Sequence, residues 1–90
     1  MDALVATLAC LTTDTDRRQF LTALLSPAEI RKVSHRWMAI SLLLDGRSQR
    51  EVRNMAKVSI ATVSRAARQV DTHGALFRNI RLRVTNQQGM

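Results

Sequence analysis

The sequence predicts an all-α fold on three observations. Among 90 residues there are only three Gly and one Pro, while Leu, Ala and Arg are abundant, so little interrupts helix. The aromatic share is 3%, supplied by Phe20, Trp37 and Phe77, which leaves aliphatic side chains to fill any core. Apolar residues also return at spacings of three and four, and Ser-x-x-Glu start signals stand before two of those periodic runs. Hydrophobic residues make up 46% of the chain, enough for a globular core and against disorder. A chain this short buries a modest fraction of its surface, so association is a natural remedy for a thin core.

The elements follow in order. Ala3–Leu11 is mostly apolar and helix-permissive and ends at Thr12-Thr13. Asp14 or Thr15 is placed to cap a second helix whose apolar side is Phe20, Leu21, Leu24 and Leu25. Ser26-Pro27-Ala28-Glu29 is the sharpest start signal. Ser26 takes the N-cap, Pro27 the first helical position where a missing N–H costs nothing, and Glu29 completes a capping box. Leu25 and Ile30 flank that cap as a hydrophobic staple. The third helix runs to about Asp45 and stops at Gly46. Ile30, Val33, Trp37, Ile40 and Leu44 form its main stripe, and Met38 and Leu42 fall on another side. A helix apolar on two sides is covered on two sides, which points to a partner subunit at Trp37, Met38 and Leu42.

Ser48 and Glu51 then open a short helix to about Ala56, Lys57-Val58-Ser59 interrupts it, and a fifth helix spans Ile60 to Val70. Ile60, Val63, Ala67 and Val70 are expected on its inner face. Asp71-Thr72-His73-Gly74 reads as a break before a sixth, amphipathic segment with Leu76, Phe77, Ile80 and Leu82 among Arg78, Arg81 and Arg83. Thr85–Met90 reads as a frayed end. The whole is expected to be one domain over residues 1–90, with the helices at 3–25 reserved for dimer packing.

Charge narrows the function. Fourteen Lys and Arg against seven Asp and Glu give +7, and all the basic residues but Lys32 and Lys57 are Arg, whose planar fork matches phosphate and guanine edges. Residues 1–30 hold four acids against Arg17 and Arg18, whereas residues 31–90 hold twelve basic groups against Asp45, Glu51 and Asp71. One-sided basic charge is an electrostatic footprint for nucleic acid. Several other classes drop out. No apolar run is long enough to span a bilayer, and the first ten residues carry Asp2 and no basic group, against a secretory signal. Cys10 stands alone and is expected to be a small buried hydrophobe in a reducing cytoplasm. His35 and His73 are far apart without Cys or an acidic cluster, so neither metal nor cofactor is expected. Ser, His and Asp occur without a strained nucleophile turn, an oxyanion loop or a phosphate-cradling glycine motif, so the chain is not expected to be an enzyme.

Residues 48–70 have the layout of a helix-turn-helix: short helix, three-residue turn, second helix. Val52 and Met55-Ala56 would face inward, Val58 plug the turn and Val63 anchor the second helix. Lys57 stands where such turns usually place Gly, at a cost of about 1 kcal/mol if its φ is positive. The candidate DNA face begins with Arg47, Ser48, Gln49, Arg50 and Arg53 on the first helix and continues through Lys57 and Ser59. Ile60, Ala61, Thr62, Ser64, Arg65 and Arg68 complete it on the second helix. Arg50 and the small pair Ala61-Thr62 are expected at base edges. Ser59, Ser64 and Arg68 are expected at phosphates, with Ser59 offering helix N-terminal amides.

The match extends beyond the motif. Leu24-Leu25-Ser26-Pro27-x-Glu29, Arg36 and Leu43-Leu44-x-Gly46 are followed by Ser48-Gln49-Arg50-Glu51-Val52-x-Asn54 and Ile60-Ala61-Thr62-Val63-Ser64-Arg65. Over about two thirds of the chain these blocks resemble the tryptophan repressor family. The resemblance implies a six-helix, intertwined homodimer whose two reading heads enter successive major grooves of a palindromic operator, with Arg50, Ile60, Ala61, Thr62 and Ser64 at the DNA. It also implies a corepressor pocket, in which Arg36 and Arg65 would sandwich an indole beside Leu25 and Ser26. Here the sequence departs from the family, because Ala66 replaces the Gly that makes room for the indole and Gln69 replaces a small Ser. Overpacking of that kind costs about 1–3 kcal/mol, so a regulator that does not use tryptophan is expected.

The expected protein is therefore a cytoplasmic, nucleoid-associated regulator of bacterial transcription that binds double-stranded DNA as a homodimer. The competing reading is a small basic adaptor for an acidic protein surface such as RNA polymerase. It would place apolar anchors over 59–65 where this chain has Ala-Thr-x-x-Arg. Non-specific coating of nucleic acid would need exposed aromatics for stacking, and three aromatics are too few.

Overall fold

The computed structural model describes residues 1–88 as five helices, with no strand among them: α1 (Asp2–Cys10), α2 (Asp14–Leu24), α3 (Pro27–Leu44), α4 (Gln49–Ala56) and α5 (Ile60–Gln88). The chain divides into two compact units, Met1–Lys32 and Val33 onward, with the division falling inside α3.

In the first unit, α1 and α2 bury no residue at all. Cys10, expected inside, is exposed because the whole of α1 is. Thr13, rather than Asp14 or Thr15, caps α2: its hydroxyl accepts the Asp16 amide at 3.1 Å. Asp14 and Asp16 instead occupy the first turn, where carboxylates favour the helix dipole. The α3 start forms as expected. Ser26 Oγ accepts the Glu29 amide at 3.1 Å, and Glu29 accepts the Ser26 amide at 2.8 Å. These bonds hold the Glu29 carboxyl below its usual pKa, the Ser26 amide first and the Ser26 hydroxyl second.

The second unit holds the core. Ala39, Ile40, Val52, Val63 and Ala66 are buried together, with Trp37, Leu42, Leu43, Leu44, Val58, Val70 and Phe77 packed around them. Trp37 and Phe77 meet edge to face at 5.8 Å. The α3 helix ends at Gly46 (φ 88°) in a Schellman motif, in which the Gly46 amide donates to Leu43 O and the Arg47 amide to Leu42 O. Nothing lies within 4 Å of where a Gly46 Cβ would be, so backbone conformation alone selects glycine there.

The expected break at residues 71–74 is present as a kink at His73 (φ −124°, ψ 21°), across which two helical runs join to make α5. Three other expectations about this unit need correction. The helix then continues through Thr85–Gln88, expected to fray, while Gly89 and Met90 lie outside the described residues. Val33, Met55 and Ile60, expected on inner faces, are exposed. The inner face of α5 runs instead through Val63, Ala66, Val70, Gly74 and Phe77. Leu42, expected off the core, packs partly against it.

Candidate nucleic-acid interface

The α4–turn–α5 segment is built from its caps outward. Ser48 Oγ accepts the Glu51 amide at 3.2 Å and Glu51 accepts the Ser48 amide at 3.1 Å, a complete capping box. Arg47 Nη1 donates to the other Glu51 oxygen at 3.3 Å. Together these donors lower the Glu51 pKa; the Ser48 amide contributes most, then the Ser48 hydroxyl, then Arg47. Val52 and Ala56 carry α4 into the core. Lys57 closes α4 in the left-handed region at φ 55° and ψ 45°, the conformation expected at a position usually given to Gly. Val58 turns inward against the core. Ser59 then caps α5, its Oγ accepting the Thr62 amide at 3.1 Å and lying 3.0 Å from Thr62 Oγ1. Val63 is buried and anchors α5 beneath the turn.

What remains outside is basic. Gln49, Arg50, Arg53, Lys57, Ala61, Arg65 and Arg68 are exposed, and Thr62 and Ser64 are half-buried. Arg47 is engaged with Glu51, whereas Arg50, Arg53, Lys57, Arg65 and Arg68 have no acidic partner among the described residues. Gln49, Arg50, Arg53, Ile60 and Val63 line a groove of about 270 Å³ between α4 and the start of α5. Two capped helix N-termini and five free cations thus share one helix-turn-helix.

A second groove, of about 260 Å³, opens between α3 and α5 on Val33, Arg36, Trp37, Ile40, Gln69 and Phe77. Arg36 and Gln69, both expected at a ligand pocket, meet there. Arg65 is exposed and outside that lining, and Ala66 is fully buried in the core. Leu25 and Ser26 belong to the first unit, where Ser26 is committed to its cap.

The model of the Trp repressor protein family matches residues 1–84 of the 90. The chain belongs to the Trp repressor family. No curated protein and no solved structure matches it. The Trp repressor family is one of helix-turn-helix DNA-binding regulators and not of enzymes, and α4–turn–α5 is that motif in this chain. No helix among the described residues is long and apolar enough to cross a membrane.

One feature of this Trp repressor family member escaped sequence reasoning. Arg81 Nη1 donates to Asp45 Oδ1 at 2.7 Å and to Ser41 O at 3.1 Å, tying the far half of α5 to the end of α3 just before the motif. The partners lie too far apart in sequence for any local spacing rule to pair them. The Arg47–Glu51 pair, by contrast, carries an ordinary i, i+4 signature.

Proposed function

We propose that this protein is a sequence-specific regulator of transcription, most simply a repressor, that binds double-stranded DNA as a homodimer on a palindromic operator. The observation that carries the reading is the unpaired basic surface of the motif, with Arg50 and Arg53 on α4 and Arg65 and Arg68 on α5. A guanidinium without an intramolecular partner is available to guanine O6 and N7 or to phosphate. Arg50 with Ala61 and Thr62 reads bases; Ser59, Ser64, Lys57 and Arg68 hold the backbone, with Arg47, Ser48 and Gln49 at the rim. Homodimerisation is supported by α1 and α2, which leave Leu4, Val5, Leu8, Leu21 and Leu24 about half exposed and bury nothing. A monomer leaving so much apolar surface on two helices would forgo most of the burial that stabilises a chain of this length.

The regulator acts without tryptophan. The methyl of Ala66 is part of the core, and Arg65 does not line the groove that Arg36 and Gln69 share. Selection of bound sites from random duplex DNA by the purified protein tests both statements. The expected result is one palindromic motif, enriched equally with and without tryptophan. Enrichment only with tryptophan would overturn the second statement, and no enrichment under either condition would overturn the first. Calorimetry is expected to show no saturable tryptophan binding.

A further inference from the structure

The Asp45 carboxylate stands where a helix on its own would not put it. It follows directly on Leu44, the last residue of α3, at the end where unpaired carbonyls already carry partial negative charge. Arg81 is the cation that answers it. A single guanidinium nitrogen, Nη1, spends its two hydrogens on Asp45 Oδ1 at 2.7 Å and on Ser41 O at 3.1 Å. Beside this clamp, Trp37 and Phe77 meet at 5.8 Å. Positions 37, 41 and 45 on α3 lie one helical turn apart on a shared face, as do 77 and 81 on α5. One contact would leave α3 and the far half of α5 free to pivot, whereas two, a turn apart, fix the angle between them.

Both ends of the clamp bear on the motif. Asp45 shortly precedes Ser48, the N-cap of α4, and Arg81 lies beyond the His73 kink from the reading helix. Val52 and Val63 join α4 to the near half of α5, so the motif moves as one piece. Its covalent joints to the rest of its unit are the segment after Asp45 and the kink at His73, and the Arg81–Asp45 bond spans both. Ala39 and Ile40 also seat the motif on α3, but apolar contact of that kind is non-directional and does not fix an angle. We infer that Arg81 is a positioning residue for DNA recognition. Through Asp45 and Ser41 it holds the motif at one angle, and so sets the spacing at which the two half-sites of the operator are read. This rests on the homodimeric DNA-binding reading above and adds to it the residue that fixes half-site spacing.

Duplexes that carry the selected half-sites with one base pair added or removed at the centre test this, beside a duplex with a single half-site. The full-length protein is expected to prefer the selected spacing about tenfold over either altered one, since each base pair shifts and rotates the second half-site. In Arg81→Met, which keeps the side-chain length and loses the bonds, that preference is expected to fall to about threefold or less. Affinity for the single half-site and its salt slope are expected to stay as they were. Asp45→Asn is expected to relax spacing in the same direction, and the double variant to go no further than Arg81→Met alone. Arg81→Lys, whose ammonium still donates to both acceptors, is expected to keep part of the preference. The clamp residues are partly exposed, so the variants are compatible with folding, which circular dichroism checks. An unchanged spacing preference in folded Arg81→Met and Asp45→Asn would overturn the inference and leave the DNA-binding reading standing. So would a salt slope on the single half-site smaller by about 0.9 in Arg81→Met, which would make Arg81 a phosphate contact. Selection of no palindrome by the unaltered protein would overturn both.

Discussion

At the scale of single residues, Lys57 is the most informative. It is the one non-glycine with positive φ among the described residues, and it sits in the turn on which the two motif helices pivot. Left-handed backbone costs an L-residue about 1–2 kcal/mol, part of which glycine gives back through its freer unfolded chain. Lys57→Gly is therefore expected to stabilise the fold by about 0.5–1 kcal/mol, seen as a melting temperature a few degrees higher. If the lysine holds phosphate, the same variant binds DNA more weakly, with the salt slope smaller by about 0.9. A lower melting temperature, or higher stability with unchanged DNA affinity, would contradict this role. The conformation at Lys57 was legible because a helix-turn-helix fixes which turn residue must be left-handed. The inner stripe of α5 was not. An inner stripe of Ile60, Val63, Ala67 and Val70 fits helical spacing as well as the true one does. The true one passes through Ala66 and Gly74, whose small side chains give hydrophobic periodicity almost nothing to register.

At the scale of elements, the caps define where the motif begins. Removing the Ser48 hydroxyl with Ser48→Ala is expected to cost about 1 kcal/mol, read from denaturant unfolding. The same box gives a pH dependence of known sign. Glu51 is held below the ordinary glutamate pKa by the Ser48 amide, the Ser48 hydroxyl and Arg47. A depressed carboxylate contributes stability that is fully present above the unfolded pKa, about 4.3, and is lost as pH falls through the lower folded value. Acid is therefore expected to loosen the α4 N-terminus, and Glu51→Gln to flatten that part of the stability–pH curve. An unchanged acid limb in the variant would contradict the assignment. Both capping boxes and the Gly46 stop were readable because each is a local pattern spanning a few residues. The bend of α5 was not: Gly74 announces weakness in a helix, but whether the chain stops or bends depends on packing that spacing does not encode. His73 stacks edge-on against Phe77 at 6.0 Å, which in turn meets Trp37.

At the scale of the whole molecule, the core is thin. The buried hydrophobic side chains all lie between Ala39 and Ala66, three of the six are alanines, and none comes from residues 1–32. Such a core suits a chain that completes its burial by association. Sedimentation at micromolar concentration is expected to give twice the chain mass. Met38, 47% exposed on α3, is the side chain through which to disturb it, so Met38→Glu is expected to shift the mass toward one chain. A monomer that binds a single site at full affinity would contradict the dimer. Helix content, the motif and the family were all legible from composition, spacing and short blocks. Leu42 was misplaced because helical periodicity separates faces without saying which neighbour covers each. The central claim is that this surface reads sequence and does not merely hold charge, and it is tested most directly by repeating site selection with Arg50→Ala and Arg68→Ala. Loss of a base-reading Arg50 is expected to relax one base pair per half-site at a cost of about 1–3 kcal/mol. Loss of Arg68 is expected to weaken all sequences alike, lower the salt slope by about 0.9 and leave the selected motif intact. If the two variants behave identically on selected and random DNA, the protein grips only the backbone and the assignment of α5 as a reading helix is wrong.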